Sequence, residues 1–103
     1  MPKTVILSSA RTPIGKLGGG LSTVDPAELG ATAIGAALER ADVAPEQVQH
    51  VVMGQVLQAG QGQIPSRQAQ IAAGIPKEVT SETINKVCAS GVRAAGILTA
   101  LHR

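Results

Sequence analysis

The 103 residues contain no Phe, Tyr or Trp. A core must therefore be built from Val, Ile, Leu and Ala, and the twelve glycines fit elements that approach one another closely. No aromatic side chain is available to stack on a nucleobase. No run of basic residues exists to track a phosphate backbone, the net charge being only +2 from nine Lys and Arg against seven Asp and Glu. Nucleic-acid binding is not expected. A single cysteine cannot form an internal disulfide, which suits a reducing compartment. The N-terminal Val5-Ile6-Leu7 passes straight into Ser8-Ser9, without the long apolar stretch of a secretory signal. No apolar run is long enough to span a bilayer. The expectation is a soluble, cytoplasmic protein with no membrane partner. One Cys and two separated His, His50 and His102, make no metal-ligand cluster.

Apolar residues make up 44% of the chain, enough for a globular core and too many for a disordered tail. Val5-Ile6-Leu7 reads as a short buried strand. Arg11 to Gly20 follows with one Pro and four Gly in ten residues, which is loop chemistry. Its glycines do not have the spacing of a phosphate-binding loop, and Leu17 stands where Ser or Thr would hold magnesium, so they read as turn-formers. Asp25-Pro26-Ala27-Glu28 is a helix start, with Asp as N-cap, Pro at N1 and Glu at N3. Leu29, Ala33, Ile34, Ala37, Leu38 and Ala41 then share one side of the helix, which ends at Asp42 to Pro45.

His50 to Leu57 reads as a second strand. Its near-continuous apolar pattern fits a parallel sheet covered on both faces. Pro65 to Ala73 reads as a short helix stopped by Gly74-Ile75-Pro76, and the β-branched run Val79 to Val87 as a third strand. In Ala89 to Arg103, Val92, Ala94, Ala95, Ile97, Leu98, Ala100 and Leu101 spread around the whole helical wheel, with Arg93 the one charge before the last residue. A helix apolar all round is buried all round. Alternating strands and helices predict an α/β layered fold with a mainly parallel sheet and right-handed crossovers. One three-stranded sheet covers only one side of such a helix, so the chain is expected to need a missing remainder or an obligate partner.

Cys88 falls where the third strand meets this helix. A strand-to-helix turn at the C-terminal end of a sheet is the usual ligand site in α/β folds. A helix N-terminus offers free N–H groups and a dipole that favour a thiolate, and those N–H groups can receive the oxyanion formed when it attacks a carbonyl. Set against this, free cysteines are among the most buried residue types and most are packing. A base is also wanted, and neither His50, at the far end of its strand, nor His102, fourteen residues along the helix, is placed to serve. Arg67 and Arg93 read as residues paired on a helix surface or at an interface in preference to substrate-facing ones.

The segment Asn85-Lys86-Val87-Cys88-Ala89-Ser90-Gly91 resembles the acyl-enzyme cysteine motif of the thiolases, and more specifically of the acetyl-CoA acetyltransferases. Val5 to Gly20 with its Arg-Thr-Pro-Ile-Gly loop, Met53 to Gly60, and Gln63 to Ala69 resemble the same family in the same order. The resemblance implies a thiolase-like layered fold with a buried nucleophile helix, of which residues 1–103 are part of the N-terminal domain, the C-terminal half being absent. It implies that Cys88 is acylated by an acyl-CoA thioester, that its own N–H lines an oxyanion hole, and that a second acetyl-CoA condenses with the acyl group to give acetoacetyl-CoA, or the reverse thiolysis. It implies no permanently bound cofactor, coenzyme A thioesters as substrates, and a homodimer or homotetramer for the full-length form. The family's downstream Gly-His-Pro and Cys-Gly-Gly segments and most of its coenzyme A site have no counterpart here, so the 103 residues alone are expected to lack turnover. Ile64 stands where the family usually has Asn before Pro. A non-catalytic assembly module and a related 3-ketoacyl synthase are the alternative readings.

Overall fold

A computed structural model describes residues 3–101. The order of elements is α1 (Pro26–Ala41), a 3₁₀ turn (Pro45–Gln47), β1 (His50–Gly54), α2 (Pro65–Ala72), β2 (Thr80–Ile84) and α3 (Ser90–Leu101). The expected start of α1 is present: Asp25 accepts the Ala27 N–H through its carboxylate at 2.8 Å, and Pro26 opens the helix. Asp42 ends it in the left-handed conformation, φ 54, with its N–H and that of Val43 returning to the last carbonyls. Such residues tolerate this region better than most.

β1 and β2 pair in parallel, from His50 opposite Thr80 to Gly54 opposite Ile84, with α2 in the crossover between them. The alternation of the strands sorts their side chains by face. Val51 is buried and Met53 reaches Gly30 of α1, while Thr83 bonds Ser66 of α2 through its hydroxyl at 2.8 Å. On the other face Gly54 meets Ser90, and His50 lies beside Leu98 and Leu101 of α3. The sheet is thus covered on both faces, by α1 and α2 on one side and α3 on the other, as the apolar pattern of residues 50–57 predicts.

Close approach needs small residues, and Gly30 supplies one: a Cβ there would stand 3.0 Å from Met53 Cε and 3.1 Å from Ala69 Cβ. The segment linking α2 to β2 is held by α2 itself. Arg67 donates to the Lys77 and Val79 carbonyls at 2.7 and 2.9 Å, and the wholly buried Gln70 donates to the Pro76 and Val79 carbonyls at 2.9 and 2.8 Å. Arg67 is therefore a structural clamp on backbone carbonyls, with no ion pair among the described residues.

Three expectations are corrected. Val5-Ile6-Leu7 forms no strand and is exposed, Ile6 at 87%. A strand needs a neighbour for its backbone groups, and here the N-terminal segment is held instead by Ser8 Oγ donating to the Ala37 carbonyl at 2.6 Å and Arg40 donating to the Ser9 carbonyl at 2.8 Å. The sheet among the described residues accordingly has two strands, not three. Finally, α3 is not buried all round: Ser90 and Ala94 are its buried residues, while Val92 is 81% exposed. The two strands can cover one side of a helix, and nothing else in the described chain packs on the rest.

Gly18, with φ 70, takes the third position of the turn closed by Gly19 N–H on the Lys16 carbonyl, so the glycines of the N-terminal loop form turns. His102 and Arg103 lie outside the described residues.

Candidate functional site

Cys88 sits one residue short of the Ala89–Ser90 entry into α3 and four beyond the end of β2, at the C-terminal end of the sheet. Its thiol is free and exposed. Among the described residues it fills no part of the core.

The turn that carries it is tightly specified. Val87, immediately before the cysteine, has φ 51. A β-branched residue in the left-handed region is strained by about 1–3 kcal/mol and persists only where its surroundings hold it. The holding groups are Asn85 and Ser90. Asn85 Oδ1 accepts the Val87 N–H at 2.9 Å, and its Nδ2 donates to the Val56 carbonyl at 2.8 Å and to Gln58 Oε1 at 3.0 Å. Ser90, nearly fully buried, accepts the Lys86 N–H at 2.8 Å and lies 2.7 Å from the Val87 carbonyl and 3.3 Å from that of Gln55 as a donor. The Ala89 and Ser90 N–H groups close back on the Lys86 and Val87 carbonyls. Cys88 is the residue this web leaves unoccupied.

Backbone donors remain beside the thiol. The Ser90 and Arg93 N–H groups are taken by the Val87 and Ala89 carbonyls, whereas the N–H groups of Cys88, Gly91 and Val92 have no protein acceptor among the described residues. Such a group of unpaired donors at a helix start can receive an anionic oxygen.

The sequence places His50 away from Cys88, and so does the fold. His50 opens β1 at the other end of the sheet, with Nδ1 2.6 Å from Thr80 Oγ1 and Nε2 3.2 Å from Glu82 Oε2. Both ring nitrogens are engaged there. Arg93 is exposed on α3. Among the described residues no three His, Cys, Asp or Glu side chains cluster as a metal would require, and no helix is long and apolar enough to cross a membrane.

Asn85 and Ser90 are the site residues that sequence reasoning passed over. Asn two residues before a strained turn position is a recognisable signal, because its side chain bonds the backbone two residues on. Ser90 carried a weaker one: a hydroxyl at the first residue of an apolar helix must find partners if it is buried.

Residues 4–101 match the family model described as thiolase, N-terminal domain. An acetyl-CoA acetyltransferase of Cupriavidus necator is 60% identical over 94 residues, which cover 91% of this chain and 24% of that protein. A probable acetyl-CoA acetyltransferase of Mycobacterium leprae is 52% identical over all 103 residues, 26% of its length. A mitochondrial acetyl-CoA acetyltransferase of Xenopus tropicalis is 53% identical over 92 residues, covering 89% of this chain and 22% of that protein. The chain spans about a quarter of the length of these relatives.

Proposed function

The chain belongs to the thiolase family, and from that premise we propose that it carries the nucleophile portion of an acetyl-CoA acetyltransferase active site, with Cys88 as the acylated residue. One observation carries the proposal: an exposed thiol at the C-terminal end of the sheet, with the unpaired N–H groups of Cys88, Gly91 and Val92 beside it.

The step these residues support is acyl transfer. Cys88 Sγ, as the thiolate, attacks the carbonyl carbon of acetyl-CoA and forms a new carbon–sulfur bond. The carbonyl π electrons move onto oxygen, where the free N–H groups stabilise the charge. The oxyanion then re-forms the carbonyl and expels coenzyme A as its thiolate, which takes a proton from solvent. In the complete reaction a second acetyl-CoA, deprotonated at its methyl carbon, attacks the acetyl-cysteine. Acetoacetyl-CoA leaves and the Cys88 thiolate returns; thiolysis runs the same steps backwards. No base for the carbon proton stands beside Cys88 among the described residues, since the His50 ring is engaged at the far end of the sheet. The 103 residues therefore accept one acetyl group without turning over. No permanently bound cofactor is part of the reading; the substrates are coenzyme A thioesters.

The test is incubation with acetyl-CoA followed by mass spectrometry. The expected result is a single acetyl group on Cys88, absent from Cys88→Ala, with coenzyme A release stopping at one equivalent. An acetyl adduct that survives Cys88→Ala overturns the nucleophile assignment. Sustained release overturns the claim that residues elsewhere in the relatives are needed.

The exposed side of α3, with Val92 and Leu101 open to solvent, favours an assembly in which it is covered, in keeping with a cytoplasmic homodimer or homotetramer. In that respect the chain contributes a structural layer as well as a nucleophile.

A further inference from the structure

Asn85 does more than follow β2. Its side chain grips two separate pieces of chain in opposite directions. Oδ1 takes the Val87 N–H, one residue before Cys88; Nδ2 takes the Val56 carbonyl and Gln58 Oε1, both on the segment leaving β1. Val87 has φ 51, and the residue is 58% exposed, so packing of the valine itself does not hold it left-handed. The hydrogen bonds around it do. That conformation sets the direction in which the chain leaves β2, and with it where Cys88 Sγ stands relative to the free N–H groups at the start of α3.

We propose that Asn85 is a positioning residue for acylation of Cys88. It fixes the Val87 amide, which keeps the turn left-handed, and it ties that turn to the end of β1, so the thiol and the oxyanion donors keep one relative placement. The proposal rests on the reading of Cys88 as the nucleophile. Asparagine suits both grips because it is acceptor at one end and donor at the other. Aspartate would keep the bond to the Val87 N–H and set a second acceptor against the Val56 carbonyl and Gln58 Oε1. Alanine would lose all three bonds.

The experiment compares the 103-residue chain with Asn85→Ala, Val87→Asn and the double variant, because asparagine adopts the left-handed region more readily than valine. Four quantities are read: the rate of acetyl transfer from acetyl-CoA to Cys88, the rate of Cys88 alkylation by iodoacetamide, the thermal melt, and the intraresidue amide-to-Hα NOE of residue 87, which is strong only for positive φ. Alkylation needs an accessible thiolate and no oxyanion donor, so it separates positioning from exposure. Asn85→Ala is expected to slow acetyl transfer about tenfold to a hundredfold, the scale of a misplaced reacting group, while alkylation changes little and the NOE of residue 87 weakens. Adding Val87→Asn to Asn85→Ala should restore both the NOE and most of the transfer rate. Equal slowing of transfer and alkylation, or no rescue by Val87→Asn, overturns the proposal. If Asn85→Ala does not fold, Asn85→Asp serves in its place, with the NOE retained and transfer slowed as the expected outcome and unchanged transfer as the contrary one. If the parent chain takes no acetyl group at all, the nucleophile reading has failed, and the NOE alone still decides Asn85: a signal unchanged in Asn85→Ala shows that it does not hold the turn.

Discussion

Gly54, the last residue of β1, lies against Ser90, the first of α3: a Cβ on Gly54 would overlap the Ser90 Cβ and stand 2.8 Å from the Ser90 carbonyl carbon and 3.0 Å from the Gly91 nitrogen. Two of these atoms are backbone and cannot swing aside. Gly54→Ala must push the start of α3 off the sheet. Overpacking of this kind costs about 1–3 kcal/mol, so a thermal melt should fall by roughly 4–8 °C per kcal/mol for a chain of this size. Because the displaced helix start carries the candidate site, the proposed acetyl transfer to Cys88 should fall as well. An unchanged melting temperature would show that the approach is looser than described.

Ser90 is the other side of that contact. Its hydroxyl serves the Lys86 N–H and the Val87 carbonyl from a nearly buried position. Ser90→Ala keeps the Cβ that packs on Gly54 and removes only the hydroxyl. Lys86 and Val87 are themselves exposed and the Val87 carbonyl keeps the Ser90 N–H, so the loss is that of an ordinary hydrogen bond, about 0.5–1.5 kcal/mol. The loss should appear in urea midpoints with the slope unchanged; a neutral outcome would assign the turn to Asn85 and local backbone bonds alone.

Ile64 offers a gain. It caps the start of α2 in the left-handed region, φ 42, has no side-chain bond to the helix, and is half exposed. A β-branched residue is poorly suited to that conformation, and an N-cap prefers a short polar side chain. Ile64→Asn should raise stability by about 1 kcal/mol, combining relief of strain with a polar side chain able to cap the helix. Denaturant unfolding measures it; destabilisation would mean that the isoleucine side chain contributes packing that outweighs both effects.

Arg67 and Gln70 converge on the Val79 carbonyl from the same helix. Arg67→Lys keeps the charge but cannot span the Lys77 and Val79 carbonyls with one fork. It should lose about 1–2 kcal/mol, hydrogen bonds to charged groups being among the stronger ones. Gln70→Ala should lose more, because it both leaves a cavity and strips donors from the Pro76 and Val79 carbonyls. Equal effects in the two variants would indicate that burial of Gln70 adds nothing beyond its bonds.

Much of this arrangement was legible beforehand, where the signal was local. Asp25-Pro26 announces α1 through cap chemistry; Gly74 stops α2, with φ 87; and the apolar pattern after His50 marks a parallel strand covered on both faces. The strands came out shorter than their apolar and β-branched runs: the last cross-strand bond is Gln55 N–H to the Ile84 carbonyl, and beyond it the Asn85 side chain bonds the Val56 carbonyl and the Val87 N–H in the adjoining turns. Val5-Ile6-Leu7 and the burial of α3 were misread for one reason: apolar character states a need for cover, and whether a neighbour supplies it depends on tertiary contacts that composition does not encode. The place of Cys88, between a strand and an apolar helix, was legible from the pattern around it. The roles of Asn85 and Ser90 were only partly so, since besides their local bonds both reach the segment that follows β1, and that of Gly54 was not, since it depends on the distant start of α3.

That separation also bears on how the chain folds. Every partner pair between β1 and β2, from His50–Thr80 to Gly54–Ile84, is thirty residues apart. Nothing in the ladder forms until this loop closes, and closure entropy must be met before any pairing rewards it. The two helices α1 and α2, by contrast, each rest on bonds between near neighbours. The Cys88 turn hangs from the end of β2 and is pinned to the segment after β1, so it inherits the same delay. The turn that orients the Cys88 thiol is assembled only once the two strands have met, and any chemistry that depends on that orientation dates from that event.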